Sequence, residues 1–305
     1  MKMNRAFLRI EAQIIVFVLF AILAANPFLT PIFAQKEVLK SSIFQHDASS
    51  LNDSAEAMLD SDLDRSIIYA NQALELGGGK NAHIQNARSQ RIIADALYYK
   101  ADYLKAIDFY KASAETEKNE GGEMAQNYQL RLSDVGFCYM KLAIYDKAIE
   151  YYLLSLEIAR GRNDTEEIAS NLSNLGYTTF CQGNYKQAIS FFDQALQIDR
   201  ERKNDENIST DLNNIGKVYF SWKKYDKSLE YYQESFNMAI AAGNKNMQAI
   251  RLSNIGQAYE SMDEIDKALD YLNQALELDK KLGNTEKVGI RQSHLGMVYL
   301  KQGKY

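Results

Sequence analysis

LSNLGYTTFCQGNYKQAISFFDQAL, residues Leu172 to Leu196, carries Gly176 in the middle of a segment whose apolar residues otherwise recur at helical spacing. A glycine inside a helix costs roughly 1 kcal/mol relative to alanine. The residue nevertheless returns at Gly136, Gly216, Gly256 and Gly296, once every 40 positions. Aligned on these glycines, the chain reads LSDVGFCY from Leu132, LSNLGYTT from Leu172, LNNIGKVY from Leu212, LSNIGQAY from Leu252 and QSHLGMVY from Gln292. Twelve positions after each of the first four glycines stands a small residue: Ala148, Ala188, Ser228, Ala268. Four further on stands a large one (Tyr152, Phe192, Tyr232, Leu272), and three beyond that another small one (Ser155, Ala195, Ser235, Ala275). Self-similarity at a fixed period is the mark of a repeat architecture.

Within a unit, Ile168, Leu172, Leu175 and Thr179 form one helical stripe, and Ala188, Phe191, Phe192, Ala195 and Leu196 another. Short polar turns such as Gln182 to Tyr185 separate the two, and Gly, Asn and Asp mark the junctions between units. Asp164 and Glu167 have the spacing of a capping box. Each unit therefore reads as a helical hairpin. The glycine column and the first small column are expected to be two sides of one tight helix contact, with the large residues filling the space around it. A hairpin buries only one side this way, so neighbours must stack to complete the core. Earlier copies are fainter: Ala94 stands in the glycine column with Ala106 in the small one, and Ser66 and Ala73 mark the first unit. The total is six complete units and half of a seventh. Both prolines, Pro27 and Pro31, precede this region, which leaves its helices uninterrupted.

This pattern resembles the tetratricopeptide repeat (TPR), carried here by Leu175-Gly176, Ile215-Gly216-Lys217-Val218-Tyr219, Ile255-Gly256-Gln257-Ala258-Tyr259, Ala188, Phe192 and Ala195. Leucine replaces the family's usual tryptophan, and the proline that ends the second helix is missing. The period of 40 rather than 34 is similar to the longer variant of Leu-Gly-Asn-repeat scaffolds and bacterial TPR signalling proteins. The resemblance implies an all-α, right-handed superhelical solenoid of antiparallel helix pairs over residues 51–305, after a linker at 35–50. It also implies that the first helix of each unit lines a concave groove for a protein or peptide partner. Two positions before the glycine stand Asp134, Asn174, Asn214, Asn254 and His294; one after it stand Phe137, Tyr177, Lys217, Gln257 and Met297. Of these, Asp134, Phe137, Asn174, Tyr177, Asn214, Lys217, Asn254, Gln257 and His294 form the candidate peptide-binding set. Asn174, Asn214 and Asn254 make an amide ladder able to donate to and accept from an extended backbone. The competing reading is that these amides bond only neighbouring helices or water. With Lys217 the one basic residue in these columns, the family's clamp for a C-terminal carboxylate is not expected.

Residues 1–34 read as a secretory signal: Lys2, Arg5 and Arg9, then an apolar stretch from Ile14 to Ala25, then small Ala34 before Gln35. That points to export, with the periplasm as destination. The rival is an uncleaved anchor from Ile14 to Ala34, which would hold the repeats outside the cytoplasm. The formal charge of −5 becomes −7 once Lys2, Arg5, Arg9 and Glu11 are removed, which gives no electrostatic case for nucleic acid. Cys138 and Cys181 are too few for a disulfide scaffold; free thiols are expected, with a single bridge as the alternative. LGGGKN at Leu76 to Asn81 lacks the spacing of a phosphate loop. His46, His83 and His294 have no zinc-ligand spacing. Neither a cofactor, a metal nor a catalytic pair is expected, and the chain reads as no enzyme.

Tyr305 matches Tyr185 and Tyr225, where a second helix begins, so Leu295, Val298 and Tyr299 are expected to lack a partner helix. Two functions follow: an exported interaction scaffold, or the extracytoplasmic sensor region of a membrane protein with a histidine kinase or transcriptional regulator output beyond residue 305. An oligomerisation module is a third.

Overall fold

The computed structural model describes residues 47–77, 81–118 and 123–303. The expected signal segment, most of the linker with His46, the Gly78-Gly79-Lys80 run and Tyr305 lie outside the described residues. All regular structure among the described residues is helical: α1 (Ala48–Met58), α2 (Leu63–Leu76), α3 (Ala82–Tyr99), α4 (Tyr103–Glu117), α5 (Glu123–Lys141), α6 (Tyr145–Gly161), α7 (Thr165–Cys181), α8 (Tyr185–Arg202), α9 (Asp205–Ser221), α10 (Tyr225–Ala241), α11 (Lys245–Ser261), α12 (Ile265–Lys281) and α13 (Thr285–Gln302). This is the expected all-α solenoid of paired helices. The first helix starts at Ala48, three residues ahead of the expected Leu51, because the Asp47 carboxylate caps it by accepting from the Ser50 amide.

The chain divides into two compact units, residues 1–92 and 93–305. In the first, α1 packs on α2 and buries Leu51, Ala55, Ser66, Ala70 and Ala73. The start of α3 is tied to α1 by polar contacts: the Ser89 hydroxyl donates to Asn52 Oδ1 (2.8 Å), and Arg88 pairs with Glu56 (2.6 Å) and Asp53 (2.7 Å).

In the second unit each helix packs on the next, and the first helices α5, α7 and α9 also touch in succession. The apolar clusters bridge successive hairpins. Ala188, Phe192 and Leu196 of α8 share one cluster with Ile208, Leu212, Ile215 and Val218 of α9. Tyr152 and Leu156 of α6 similarly join Leu172 and Leu175 of α7. Each such large side chain contributes about 1.5–3 kcal/mol when fully buried, so stability accrues by stacking.

The glycines explain how the helices approach. A Cβ on Gly216 would lie 2.5 Å from the Tyr232 ring; on Gly176, 2.9 Å from Phe192; on Gly136, 3.0 Å from Tyr152; on Gly256, 2.8 Å from Leu272. The facing small turn is present too, with the Ala148 and Ala268 carbonyls 3.2 Å away and the Ser228 hydroxyl donating to the Gly216 carbonyl at 2.9 Å. The expected centre of the contact shifts accordingly: the large residue four positions after the small one covers the glycine, rather than flanking it. The second small column makes its own junction. Ser235 and Ser209 exchange hydroxyl-to-carbonyl bonds (2.5 and 2.8 Å), and Ser155 donates to the Gln129 carbonyl (3.1 Å).

Helices stop at residues in the left-handed region. Ala101, Ala143, Gly183, Lys223 and Asp263 turn the chain within hairpins, and Asn163, Lys203, Gly243 and Gly283 between them, at φ of 55° to 81°. At Gly183 the amide donates to the Phe180 carbonyl and the next amide, Asn184, to Thr179, closing the helix end. Asp164, Asn204 and Asn244 cap α7, α9 and α11. The capping box is half formed: Asp164 accepts from the Glu167 amide, but the Glu167 carboxylate accepts from Gln129 of α5 and the Asp164 amide donates to Ala159.

At α13, Leu295 and Val298 are buried against Ala268, Leu272 and Leu276 of α12, contrary to expectation. The preceding second helix covers them, so only the far side of α13, with Tyr299, Leu300 and Met297, stays exposed. Both cysteines are free; Cys138 is buried and Cys181 half-buried.

Candidate functional site

Because α5, α7 and α9 lie side by side, equal positions on them form rows along one wall. Phe137 and Tyr177 are exposed on it, and Asp134, Asn174, Asn214, Lys217, Asn254, Gln257 and His294 are half-buried. The amide ladder is only partly available. Asn254 Nδ2 donates to Asn213 Oδ1 (2.6 Å), and Gln257 donates to the Ser253 hydroxyl (3.2 Å). The side-chain amides of Asn174 and Asn214 bond to no described residue.

A second row, five positions before each glycine, escaped the sequence reading: Arg131, Asn171, Asp211, Arg251 and Arg291, all buried. These side chains stitch neighbouring hairpins. Ser173 donates to Asp211 Oδ1 (2.7 Å), Ser133 to Asn171 Oδ1 (3.4 Å), and Arg291 donates to the Ser253 hydroxyl (2.9 Å) and Asp279 Oδ2 (3.1 Å). Burial pushes the Asp211 carboxyl up to about 7, opposed by the Ser173 bond and reinforced by the charge of Asp199. Its Oδ2 is buried without a partner. Among the described residues Arg251 donates to Ser209, and burial lowers it to about 10. Burial also lowers Lys217, with the charge of Arg251 adding to the effect. The middle of the wall therefore holds two cations without an acidic partner among the described residues.

Toward α3 the wall has the opposite character. A cavity of about 230 Å³ is lined by Asp95, Tyr98 and Tyr99 of α3, Tyr110 of α4, and Asp134 and Phe137 of α5. Tyr98 stands 5.6 Å from Phe137 and 5.7 Å, edge-on, from Tyr99 between ring centroids. The Tyr110 hydroxyl donates to Asp95 Oδ1 (2.6 Å). Arg131 Nε lies 3.1 Å from Asp134 Oδ2, an ionic contact too poorly directed for a hydrogen bond, and its guanidinium sits 5.9 Å from the Tyr110 ring centre. The local field is negative: burial first, then the charges of Asp134 and Asp95, push the Cys138 thiol up to about 12. Of the six lining residues, Asp134 and Phe137 were read from the sequence. Asp95 has the same register as Phe137, one position after Ala94, and scanning that column through α3 would have found it. A second cavity of about 180 Å³, lined by Ser173, Asn174, Asp199 and Asp211 among others, lies between α7, α8 and α9.

Among the described residues no group of three or more His, Cys, Asp or Glu is arranged to hold a metal ion, and no helix is long and apolar enough to cross a membrane. No curated protein matches the sequence. Solved structures resemble the fold: the quorum sensor NprR from B. thuringiensis (TM-score 0.65, 14% identity, 89% of this chain and 76% of that one) and BtubC from P. vanneervenii (0.64, 18%, 73% and 93%). A Rap protein complexed with Competence and Sporulation Factor is also similar (0.55, 16%, 84% and 76%). The tetratricopeptide repeat family model matches residues 128–201, 167–241 and 207–281. Those matches overlap into one stretch of just over half the chain, coincide with the glycine-centred hairpins, and establish that the chain belongs to the tetratricopeptide repeat family.

Proposed function

We propose that the protein is a non-catalytic interaction scaffold that holds an extended segment of a partner protein along the wall of first helices. One observation carries this reading: exposed Phe137 and Tyr177, one position after the glycine, and the unspent amides of Asn174 and Asn214, two positions before it, recur in successive hairpins along the same wall. Packed helices lie roughly 10 Å apart, and an extended chain rises about 3.3 Å per residue. Each hairpin thus meets every third residue of a bound segment, which lets successive asparagines bond successive backbone groups. The likeness to a Rap protein complexed with Competence and Sporulation Factor supports the same use of the fold.

The basic and apolar N-terminal segment supports export, with the periplasm as destination and cleavage after Ala34. Amino-terminal sequencing of the envelope-located protein tests this, with Gln35 expected first; an intact Met1 would favour the membrane-anchored form. A sensor region within a membrane signalling protein is the second reading, favoured by the likeness to the quorum sensor NprR. An apolar span of about 20 residues encoded downstream would support it.

The groove is tested by panning a random peptide library against the full chain. Captured peptides are expected to bind at least tenfold more weakly to Asn174→Ala with Asn214→Ala, while Asn254→Ala, whose amide is already bonded to Asn213, has a smaller effect. Undiminished binding to the double variant would refute the wall as the site.

A further inference from the structure

We propose that the cavity between α7, α8 and α9 is a subsite for a lysine side chain of the bound segment. The inference rests on the wall reading and adds the chemistry of one partner residue. Ser173 and Asn174 of α7, Asp199 of α8 and Asp211 of α9 line this space of about 180 Å³, with exposed Ser170 and Thr210 at its rim. Asp211 is 2% exposed, and its Oδ2 has no partner. Its Oδ1 accepts from Ser173 (2.7 Å), while Asp199 Oδ1 accepts from Arg202 (2.9 Å) and Asn207 (3.2 Å). Thr210 spends its hydroxyl proton on the Glu206 carbonyl (2.9 Å). Apart from Asn174 and Ser170, which both donate and accept, the capacity left in the lining is therefore that of acceptors. A hydrogen-bond donor fits it.

The charge balance points the same way. Arg202 divides its charge between Asp199 (2.9 Å) and Glu166 (2.8 Å), and no cation among the described residues pairs with Asp211. Burial, with the charge of Asp199 adding to it, pushes the Asp211 carboxyl up to about 7, and an entering cation offsets both. Each carboxylate has one oxygen already spent, so neither offers the paired oxygens that a planar guanidinium fork engages. An ammonium carries three donors. The three helices each bring an acceptor that bonds to no described residue: Asn174 Oδ1, Asp199 Oδ2 and Asp211 Oδ2. A neutral apolar group would strip water from the carboxylates without replacing its hydrogen bonds, and an anion would be repelled. Asn174 belongs to the ladder as well as to the cavity, so the subsite joins the proposed peptide path at α7.

The test titrates the full chain, carrying isotope-labelled asparagine, with Nα-acetyl-lysine methylamide and with its neutral isostere Nα-acetyl-norleucine methylamide, followed by NMR. The lysine probe is expected to shift the Asn174 and Asn207 side-chain signals saturably, with roughly tenfold preference over the isostere, as a charge-assisted bond to a desolvated carboxylate provides. Asp211→Asn, which keeps the shape and removes the charge, should weaken that response several-fold. Ser170→Lys, which sets the chain's own ammonium at the exposed rim, should abolish it. Exposed Asp270→Asn on α12 removes the same charge elsewhere and should leave the response unchanged. Equal response to both probes, unmoved asparagine signals, or an unaltered response in both Asp211→Asn and Ser170→Lys would overturn the proposal and assign the lining to water. An equal loss in Asp270→Asn would overturn it as well. The probe is one residue long, so its result does not depend on whether an extended segment binds. Panning that yields tight peptides without enrichment in lysine would defeat the subsite and spare the wall.

Discussion

Gly216 and Gly296 occupy the same position of the repeat, yet their surroundings differ completely. The Tyr232 ring lies where a Gly216 Cβ would be, whereas nothing stands within 4 Å of one on Gly296. Neither glycine is in a turn; both are mid-helix. The residue is therefore demanded by the following helix and not by the backbone that carries it. At α13, where no described helix supplies a ring, docking on α12 combines the apolar contacts of Leu295 and Val298 with a buried polar joint in which Arg291 bonds both Asp279 and Ser253.

That joint supplies the largest expected effect. Arg291→Ala leaves the fully buried Asp279 carboxylate without its cation, a loss of about 3–5 kcal/mol. Hydrogen exchange should show α13 losing protection while α7 to α10 keep theirs. Protection retained in α13 would mean that its apolar contacts with α12 suffice, which would erase the contrast with the interior.

The interior counterpart, Ser173 with Asp211, behaves differently with pH. Burial keeps Asp211 protonated up to about 7, whereas an unfolded aspartate ionises near 3.9. The folded state binds the extra proton between those values, so stability falls as pH rises from about 4 to about 7. At about 1.4 kcal/mol per pH unit the loss is at most about 4 kcal/mol. Urea titrations across this range should show the slope flatten in Asp211→Asn; an unchanged slope would assign it to another group.

A smaller effect separates turn glycines from core glycines. Lys223 ends α9 at φ 60°, where Gly183 ends α7 at 81°. Lys223→Gly should stabilise by about 1 kcal/mol, the penalty of a side chain in the left-handed region, and Gly183→Ala should cost a similar amount. A destabilised Lys223→Gly would show that the lysine side chain has a packing role of its own.

The paired helices and the glycine register were legible because the same polarity pattern recurs around Gly136, Gly176, Gly216, Gly256 and Gly296. Which residue covers the glycine was not, because periodicity identifies a helix face without saying which of two positions four apart, Ala188 or Phe192, meets a given point on its neighbour. The buried row of Asn171, Asp211 and Arg251 was hidden for a related reason: polar residues beside Leu172, Leu212 and Leu252 read as solvent-facing until stacking buries both. Four of the six residues lining the α3 to α5 cavity were missed because the columns beside the glycine were followed only from α5 onward, so Asp95, one position after Ala94, was not aligned with Phe137.

The most direct test compares Gly216→Ala with Gly296→Ala by urea denaturation, each also in a Tyr232→Ala background. Overpacking against the ring costs about 1–3 kcal/mol, and alanine returns roughly 1 kcal/mol of helix propensity. Gly216→Ala should therefore destabilise by up to about 2 kcal/mol in the native background and turn stabilising once Tyr232 is truncated. Gly296→Ala should stabilise by up to about 1 kcal/mol in both. Stabilisation by Gly216→Ala with the Tyr232 ring intact would contradict the account.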